Sequence, residues 1–234
     1  MLQINHLVKT FGQMAALNDC SLEIQPGSIT GVIGPNGSGK STLFNCISGV
    51  LRPNAGEILL KKNGQRHPLH QLKPYKIARL GLGRTFQLNR VFKRMSAIDN
   101  LLAVNFERKK ADELLQEVGL LHLKDHDAGL LSIGQQRLLE IARALMLEPS
   151  VVLLDEPASG VNPKMIQWLA DHICALRASR GVTFAVVEHN LKFILGISDT
   201  LYVLNAGQVI ASGTPVDIQN NPAVVDAYLG GHHV

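Results

Sequence analysis

The apolar positions of this chain fall into three patterns, and each predicts a different kind of element. Near the start they come at even spacing. Leu2, Ile4 and Val8 lie on one side of an extended chain and residues 21–24 alternate, which predicts strands over residues 1–25 joined by a turn at Gly12-Gln13-Met14. Elsewhere short runs are almost wholly apolar. Residues 28–33, 151–154 and 182–187 have the character of strands covered on both faces of a parallel sheet. In a third pattern the apolar residues recur every three or four positions, predicting helices over residues 42–48, 72–80, 99–105, 111–118 and 163–180.

Punctuation between these runs supplies the rest. Residues 52–56 form a turn, 57–61 a strand, Asn63-Gly64 a second turn and 81–87 a further strand. Gly119 caps the helix before it. Ser132 followed three positions on by Gln135 is a capping box, so Ser132 is the expected N-cap of a helix running to about residue 147 and ended by Pro149. Its Leu138, Ile141, Ala142 and Leu145 share one face. Residues 200–204 and 208–211 form a hairpin around Asn205-Ala206-Gly207, and Thr214-Pro215 starts a last helix. Between Gln87 and about Pro149 no strand is expected, so this stretch reads as a small helical unit. The helix over 163–180 is the crossover between the strands at 151–154 and 182–187.

Composition adds bounds rather than identity. The 234 residues, 46% of them hydrophobic, suffice for one large domain or a domain with a subdomain. The net charge of +4 is modest and scattered, which gives no argument for nucleic acid or a lipid surface. Cys20, Cys46 and Cys174 are far apart, without metal or disulfide spacing, as suits a reducing compartment. No signal peptide and no apolar run near the ~20 residues of a bilayer span are visible. Spanning in any membrane process falls to another chain.

The chemistry concentrates at strand ends. Gly34-Pro35-Asn36-Gly37-Ser38-Gly39-Lys40-Ser41 fits G-x-x-x-x-G-K-[ST], a loop whose backbone N–H groups cradle phosphates. Lys40 adds a point charge for the β- and γ-phosphates, the Ser41 hydroxyl is placed for Mg²⁺, and the helix from Thr42 turns its positive end toward the anion. The apolar strand at 151–154 ends in Asp155-Glu156, where Asp155 can hold Mg²⁺ with Ser41 and Glu156 can deprotonate a water in line with the γ-phosphate. The strand at 182–187 ends in Glu188-His189, where His189 is a candidate γ-phosphate contact. Gln87, closing the strand at 81–87, is a candidate sensor of Mg²⁺ or the attacking water. Ligands of open α/β sheets bind beyond the carboxyl ends of the strands, so these residues should converge. The Ser132 helix start is a second anion-binding end on a chain that already has one cradle. This suggests use in trans, with ATP buried between two chains.

Taken in order, these residues resemble the ATP-binding subunits of ABC transporters over essentially the full length. They are Gly34 to Ser41 (Walker A), Gln87 (Q-loop), Leu131-Ser132-Ile133-Gly134-Gln135 (signature), Val151 to Glu156 (Walker B), Ser159-Gly160-Val161-Asn162 (D-loop) and His189 (H-loop). The resemblance implies an α/β fold: a P-loop NTPase (RecA-like) core of mostly parallel sheet with an antiparallel β subdomain and a small helical subdomain. It implies one domain over 1–234, with 1–87 and 150–234 as core and 88–149 as helical subdomain. It further implies a head-to-tail dimer holding two ATP with Mg²⁺, Phe11 stacked on adenine, Glu156 as catalytic base, and Ser132, Gly134 and Gln135 acting in trans. Two departures stand out: Ile133 where glycine is usual, and Asn162 where an acid is usual.

Finer wording is similar to the ATPases of branched-chain or neutral amino acid importers. It lies in Arg84-Thr85-Phe86-Gln87, Gly134-Gln135-Gln136-Arg137, residues 156–163 and Val187-Glu188-His189-Asn190. That layout implies a second ATPase subunit, identical or related, two membrane permease subunits and, indirectly, a substrate-binding protein, with no nucleic acid. The expected place is peripheral, on the cytoplasmic face of the plasma (inner) membrane. Urea or amide import and lipid export share the motifs. A soluble ABC clamp on nucleic acid or the ribosome is disfavoured by the short interval between Gln87 and Ser132, and a small-molecule kinase has no use for Ser132 or His189. Residues 88–95 are the expected socket for a membrane subunit, with Val91 and Phe92 flanked by Arg90, Lys93 and Arg94.

Overall fold

The computed structural model describes residues 1–85 and 91–229, without the side chains of residues 228 and 229. Gln87 and the first three residues of the expected socket, 88–90, lie outside the described residues. The chain opens with a hairpin of β1 (Leu2–Phe11) and β2 (Met14–Ile24). Then β3 (Ile29–Ile33) delivers the Gly34–Ser41 loop to α1 (Lys40–Ile47). Strands β4 (Ala55–Lys62) and β5 (Gln65–Pro68) pair around Asn63-Gly64 and complete an antiparallel sheet in the order β2-β1-β4-β5.

After α2 (Pro74–Arg79) and the short β6 (Leu82–Arg84) come three helices, α3 (Ala97–Leu102), α4 (Arg108–Glu117) and α5 (Ile133–Leu145). Between Val91 and Pro149 the extended pairing among the described residues is a single bridge, Ser96 to Asp127. The chain then runs through β7 (Val151–Asp155), α6 (Pro163–Arg180), β8 (Thr183–Val187) and α7 (Leu191–Ile197). It ends with the hairpin of β9 (Thr200–Asn205) and β10 (Gln208–Gly213), then α8 (Pro215–Gln219) and α9 (Pro222–Leu229). The second sheet has the order β10-β9-β3-β8-β7-β6, parallel except for β10.

Every residue of β3, β7 and β8 is buried, because this sheet is covered on both faces. Alternation divides the cover. Val151, Leu153, Ala185, Val187, Val32 and Leu204 face α1 and the antiparallel sheet; Val152, Leu154, Phe184, Val186, Ile33 and Val203 face α5, α6 and α7. Helices α3 and α4 extend that second core through Ile98, Leu101, Leu114 and Leu115, so the helical stretch shares apolar cover with the sheet.

Several expectations are corrected by the structure. Leu7, not Val8, is buried in β1, because His6 at φ 50° forms a bulge that shifts the register after Ile4. Gly56 (φ +86°) makes room for it, since a Cβ there would sit 2.3 Å from the His6 carbonyl oxygen. Helix α3 starts two residues before its expected first residue, capped by Ser96, whose Oγ accepts from the Asp99 N–H at 3.1 Å. Helix α7 was not anticipated, and α8 is followed by α9.

Candidate functional site

The phosphate loop takes its shape from glycines held against the chain behind it. At Gly34 (φ +152°) a Cβ would meet the Leu204 carbonyl oxygen at 2.1 Å, and at Gly39 (φ +106°) it would meet that of Ala16 at 2.5 Å. The turn between β9 and β10 braces the loop: Gly207 N–H donates to Ser38 O at 3.0 Å, and Asn18 N–H to Gly207 O at 2.9 Å. Helix α1 then begins without a side-chain cap. Its first N–H groups have no intrahelical partner, so they remain for an anion in front of the loop.

Lys40 is buried within the loop. Its Nζ donates to Gly34 O at 2.7 Å, Pro35 O at 2.9 Å and Ser38 Oγ at 3.3 Å. Burial pulls its pKa below the ordinary lysine value, with the Glu156 carboxylate pulling the other way. The loop, Thr42 and Glu156 line a cleft of about 260 Å³ with Phe11, Met14 and Ala16. Phe11 ends β1 with 45% of its surface exposed, and Lys9 Nζ lies 5.3 Å from its ring centre. Asn36, Gly37 and Ser41 are exposed at the rim.

Strands β3, β8 and β7 are neighbours in that order, so their carboxyl ends stand side by side. β7 ends in Asp155, whose carboxylate is almost fully buried; its Oδ2 accepts from Arg84 Nη2 at 2.9 Å and its Oδ1 has no hydrogen-bond partner. A buried, unmatched carboxylate oxygen costs about 1–3 kcal/mol, more when charged, unless a ligand meets it. Glu156 follows at φ 49°, a left-handed conformation costing ~1–2 kcal/mol for a residue with a side chain. That bend carries its carboxylate to the cleft, where Oε2 lies 3.8 Å from Nδ1 of His189.

Glu188 was not singled out by its sequence position. It is fully buried, and its carboxylate accepts N–H groups from Ala158 (2.8 Å), His189 (2.9 Å) and Asn190 (2.9 Å). It thus joins the turn after β7 to the turn after β8. Ser159 follows Ala158, and Asn162 caps α6 by accepting the Lys164 N–H at 3.0 Å, so the amide keeps the capping function an acid would have.

The tip of α5 lies apart from the cleft lining. Its capping box is complete: Ser132 Oγ accepts the Gln135 N–H at 3.3 Å, and Gln135 Oε1 accepts the Ser132 N–H at 2.9 Å. Gly134 packs on Val161 and Met165, and the exposed Ile133 flanks Gly160. Among the expected socket residues, Val91 is buried in the helical core and cannot face a partner, whereas Phe92 is half exposed beneath the Arg143 guanidinium at 5.2 Å.

No cluster of three or more His, Cys, Asp and Glu suited to a metal occurs among the described residues. The donors at hand are a buried carboxylate oxygen of Asp155 and the Ser41 hydroxyl, a sparse oxygen set of the kind that holds Mg²⁺ together with phosphates. No helix among the described residues is long and apolar enough to cross a membrane.

A parallel strand that hands a glycine loop to an uncapped helix, in the same sheet as a strand ending in carboxylates, is how P-loop nucleoside triphosphatases meet a phosphate chain. Comparison with known proteins narrows the class. The ABC transporter family matches residues 17–159, and the branched-chain amino acid ATP-binding cassette transporter family matches residues 208–234. The chain is 40% identical to the Escherichia coli high-affinity branched-chain amino acid transport ATP-binding protein LivG, over 98% of both chains. It is 38% identical to BraF of Pseudomonas aeruginosa, a protein of the same description, again over 98% of both. Its fold matches the ADP conformation of the ATP-binding cassette MJ1267, with TM-score 0.89 and 34% identity over 98% of both chains. It also matches a dimeric post-hydrolysis state of the cassette MJ0796 bound to ADP and Pi, with TM-score 0.77 and 26% identity over 92% of this chain and 99% of that one. The chain belongs to the ATP-binding subunits of ABC transporters, in the branch named for branched-chain amino acid transport. It is an ATPase of that family.

Proposed function

We propose that this chain hydrolyses ATP to power import of branched-chain or other neutral amino acids through partner membrane subunits. The observation that carries the reading is that the loop after β3 and Glu156 after β7 line one cleft, with His189 after the intervening β8 at 3.8 Å from Glu156. The expected division into a core of residues 1–87 and 150–234 and a helical part of 88–149 belongs to the same proposal.

In this reading Gly34 to Ser41 and Thr42 bind the phosphates, with backbone N–H groups and Lys40 meeting the negative charge, and Phe11 stacks on the base. Asp155 and Ser41, joined by Gln87, hold Mg²⁺, which when bound neutralises charge on the β- and γ-phosphates. Glu156 takes a proton from the attacking water and His189, beside it, holds the γ-phosphate. Ser132, Gly134 and Gln135 face the γ-phosphate of a second cassette's ATP, while Ser159 and Asn162 lie at that junction. Two cassettes close on two ATP and part after hydrolysis. Two permease subunits, fed by a substrate-binding protein, dock on residues 88–95 and hold the chain at the cytoplasmic face of the inner membrane. Of the described residues of that segment, Phe92, Lys93 and Arg94 are the exposed ones.

The test is co-purification with membrane subunits, their identity read by mass spectrometry, followed by uptake of labelled leucine by the reconstituted assembly. ATP-dependent uptake supports the reading. Copurifying permeases that carry urea or a lipid instead of amino acids would overturn the substrate, and failure to hydrolyse ATP would overturn the motor.

A further inference from the structure

Arg84 closes β6 with a guanidinium that solvent hardly reaches: 8% of its side chain is exposed. It makes bonds to two separate elements. Toward α1, Nη1 donates to Asn45 Oδ1 at 2.8 Å, Ser48 Oγ at 2.6 Å and Phe44 O at 3.3 Å. Toward β7, Nη2 donates to Asp155 Oδ2 at 2.9 Å. One planar cation therefore spans the end of the helix that starts at the phosphate loop and the tip of the strand that carries the paired carboxylates. The next residue completes the grip, since Thr85 Oγ1 accepts the Asp155 backbone N–H at 3.4 Å.

The result is an asymmetric carboxylate. Oδ2 is occupied by Arg84, while Oδ1 is buried with no partner. A carboxylate held through one oxygen presents the other in a fixed direction, as outer groups do when they orient a metal ligand. A plain structural ion pair in a buried place would be expected to satisfy both oxygens.

We propose that Arg84 is a positioning residue of the nucleotide site: it clamps Asp155 by Oδ2 against α1 so that Oδ1 is presented to the metal that accompanies the nucleotide. This rests on the reading of Asp155 as a metal ligand. The role is indirect, so it predicts a selective defect. Removing the clamp weakens binding of nucleotide with metal and spares binding of nucleotide alone.

Calorimetric titration of ADP into the full chain, in Mg²⁺ and separately in EDTA, reads this without turnover. For R84Q the affinity for ADP with Mg²⁺ should fall about tenfold or more, while the affinity in EDTA stays within about twofold. R84K, which keeps the charge but not the fork, should fall between R84Q and the parent chain. The double variant N45A/S48A leaves the Arg84–Asp155 pair intact but frees it from α1, and should lose part of the Mg²⁺ advantage even if R84Q does not fold. Equal losses in Mg²⁺ and EDTA, or an unchanged Mg²⁺ advantage in R84K and N45A/S48A, would overturn the proposal. D155N separates the two levels. If it abolishes the Mg²⁺ advantage while the Arg84 variants keep it, Arg84 alone is misassigned. If D155N also keeps the advantage, the reading of Asp155 falls.

Discussion

Helices α1 and α5 both begin at a glycine-bearing turn, yet their N-termini are finished in opposite ways. At α1 no side chain caps the helix, and the loop before it depends on bracing by Leu204, Gly207 and Ala16 from behind. At α5 the capping box satisfies the N–H groups of Ser132 and Gln135, and Ser132 and Ile133 are exposed while Gly134 packs on Val161 and Met165. The first end is shaped to be completed by an anion within its own chain. The second is preformed and turned outward, which suits an end that meets a nucleotide held elsewhere.

This contrast can be broken from either side. The largest effect belongs to the cleft. E156Q should lower ATP turnover by about 10³-fold while leaving ATP affinity within a few-fold, and the protein should accumulate as a dimer in ATP on size-exclusion chromatography. A monomer with wild-type turnover would remove Glu156 from the role of base. Next comes the tip: S132E sets a carboxylate where a second chain's γ-phosphate is proposed to lie. Turnover should drop by roughly 10²-fold, with ADP affinity of the isolated chain unchanged within about twofold. An equal loss of ADP affinity would mean that the two ends serve one chain. S132A removes the cap without adding charge and should cost about 1 kcal/mol, a fall in melting temperature of roughly 2–4 °C. No change in melting temperature would show that the cap is dispensable.

The smallest effect sharpens the comparison from the core side. Burial pushes the Cys20 thiol up to about 12 from an ordinary value of 9.0. The folded chain holds that proton more tightly than the unfolded one. The resulting stability is complete below about pH 9 and is lost as pH climbs from there toward 12. The urea midpoint should fall between about pH 9 and 11, less steeply in C20A than in the parent chain. Parallel slopes would exclude the thiol as a source of the decline.

Much of the site was legible because its signals are local. The spacing from Gly34 to Ser41, the box at Ser132 and Gln135, and the carboxylates after residues 151–154 each lie within a few positions, and helix α6 matched its predicted span over 163–180. What escaped was set by distant pairing. The bulge at His6 depends on Gly56 across the sheet, so the even spacing of Leu2, Ile4 and Val8 pointed to the wrong inward residue. Arg84 and Glu188 gain their meaning from partners up to 71 and 30 positions away. A buried arginine and a buried glutamate next to motif residues were the available signals, and sequence periodicity does not reveal burial of that kind. Helix α7, seven residues long, is too short for a periodic signal, although Asn190 caps it.

The order of strands in the large sheet has a consequence for the chain as it leaves the ribosome. β3 and β7 never pair with each other; β8 is the piece between them. A nascent chain that has emerged through residue 180 already carries the glycine loop and both carboxylates, but lacks the strand that brings them to adjacent positions. Assembly of the whole binding place therefore waits for β8, which is made after both of the strands it joins, and for the β9–β10 turn that braces the loop.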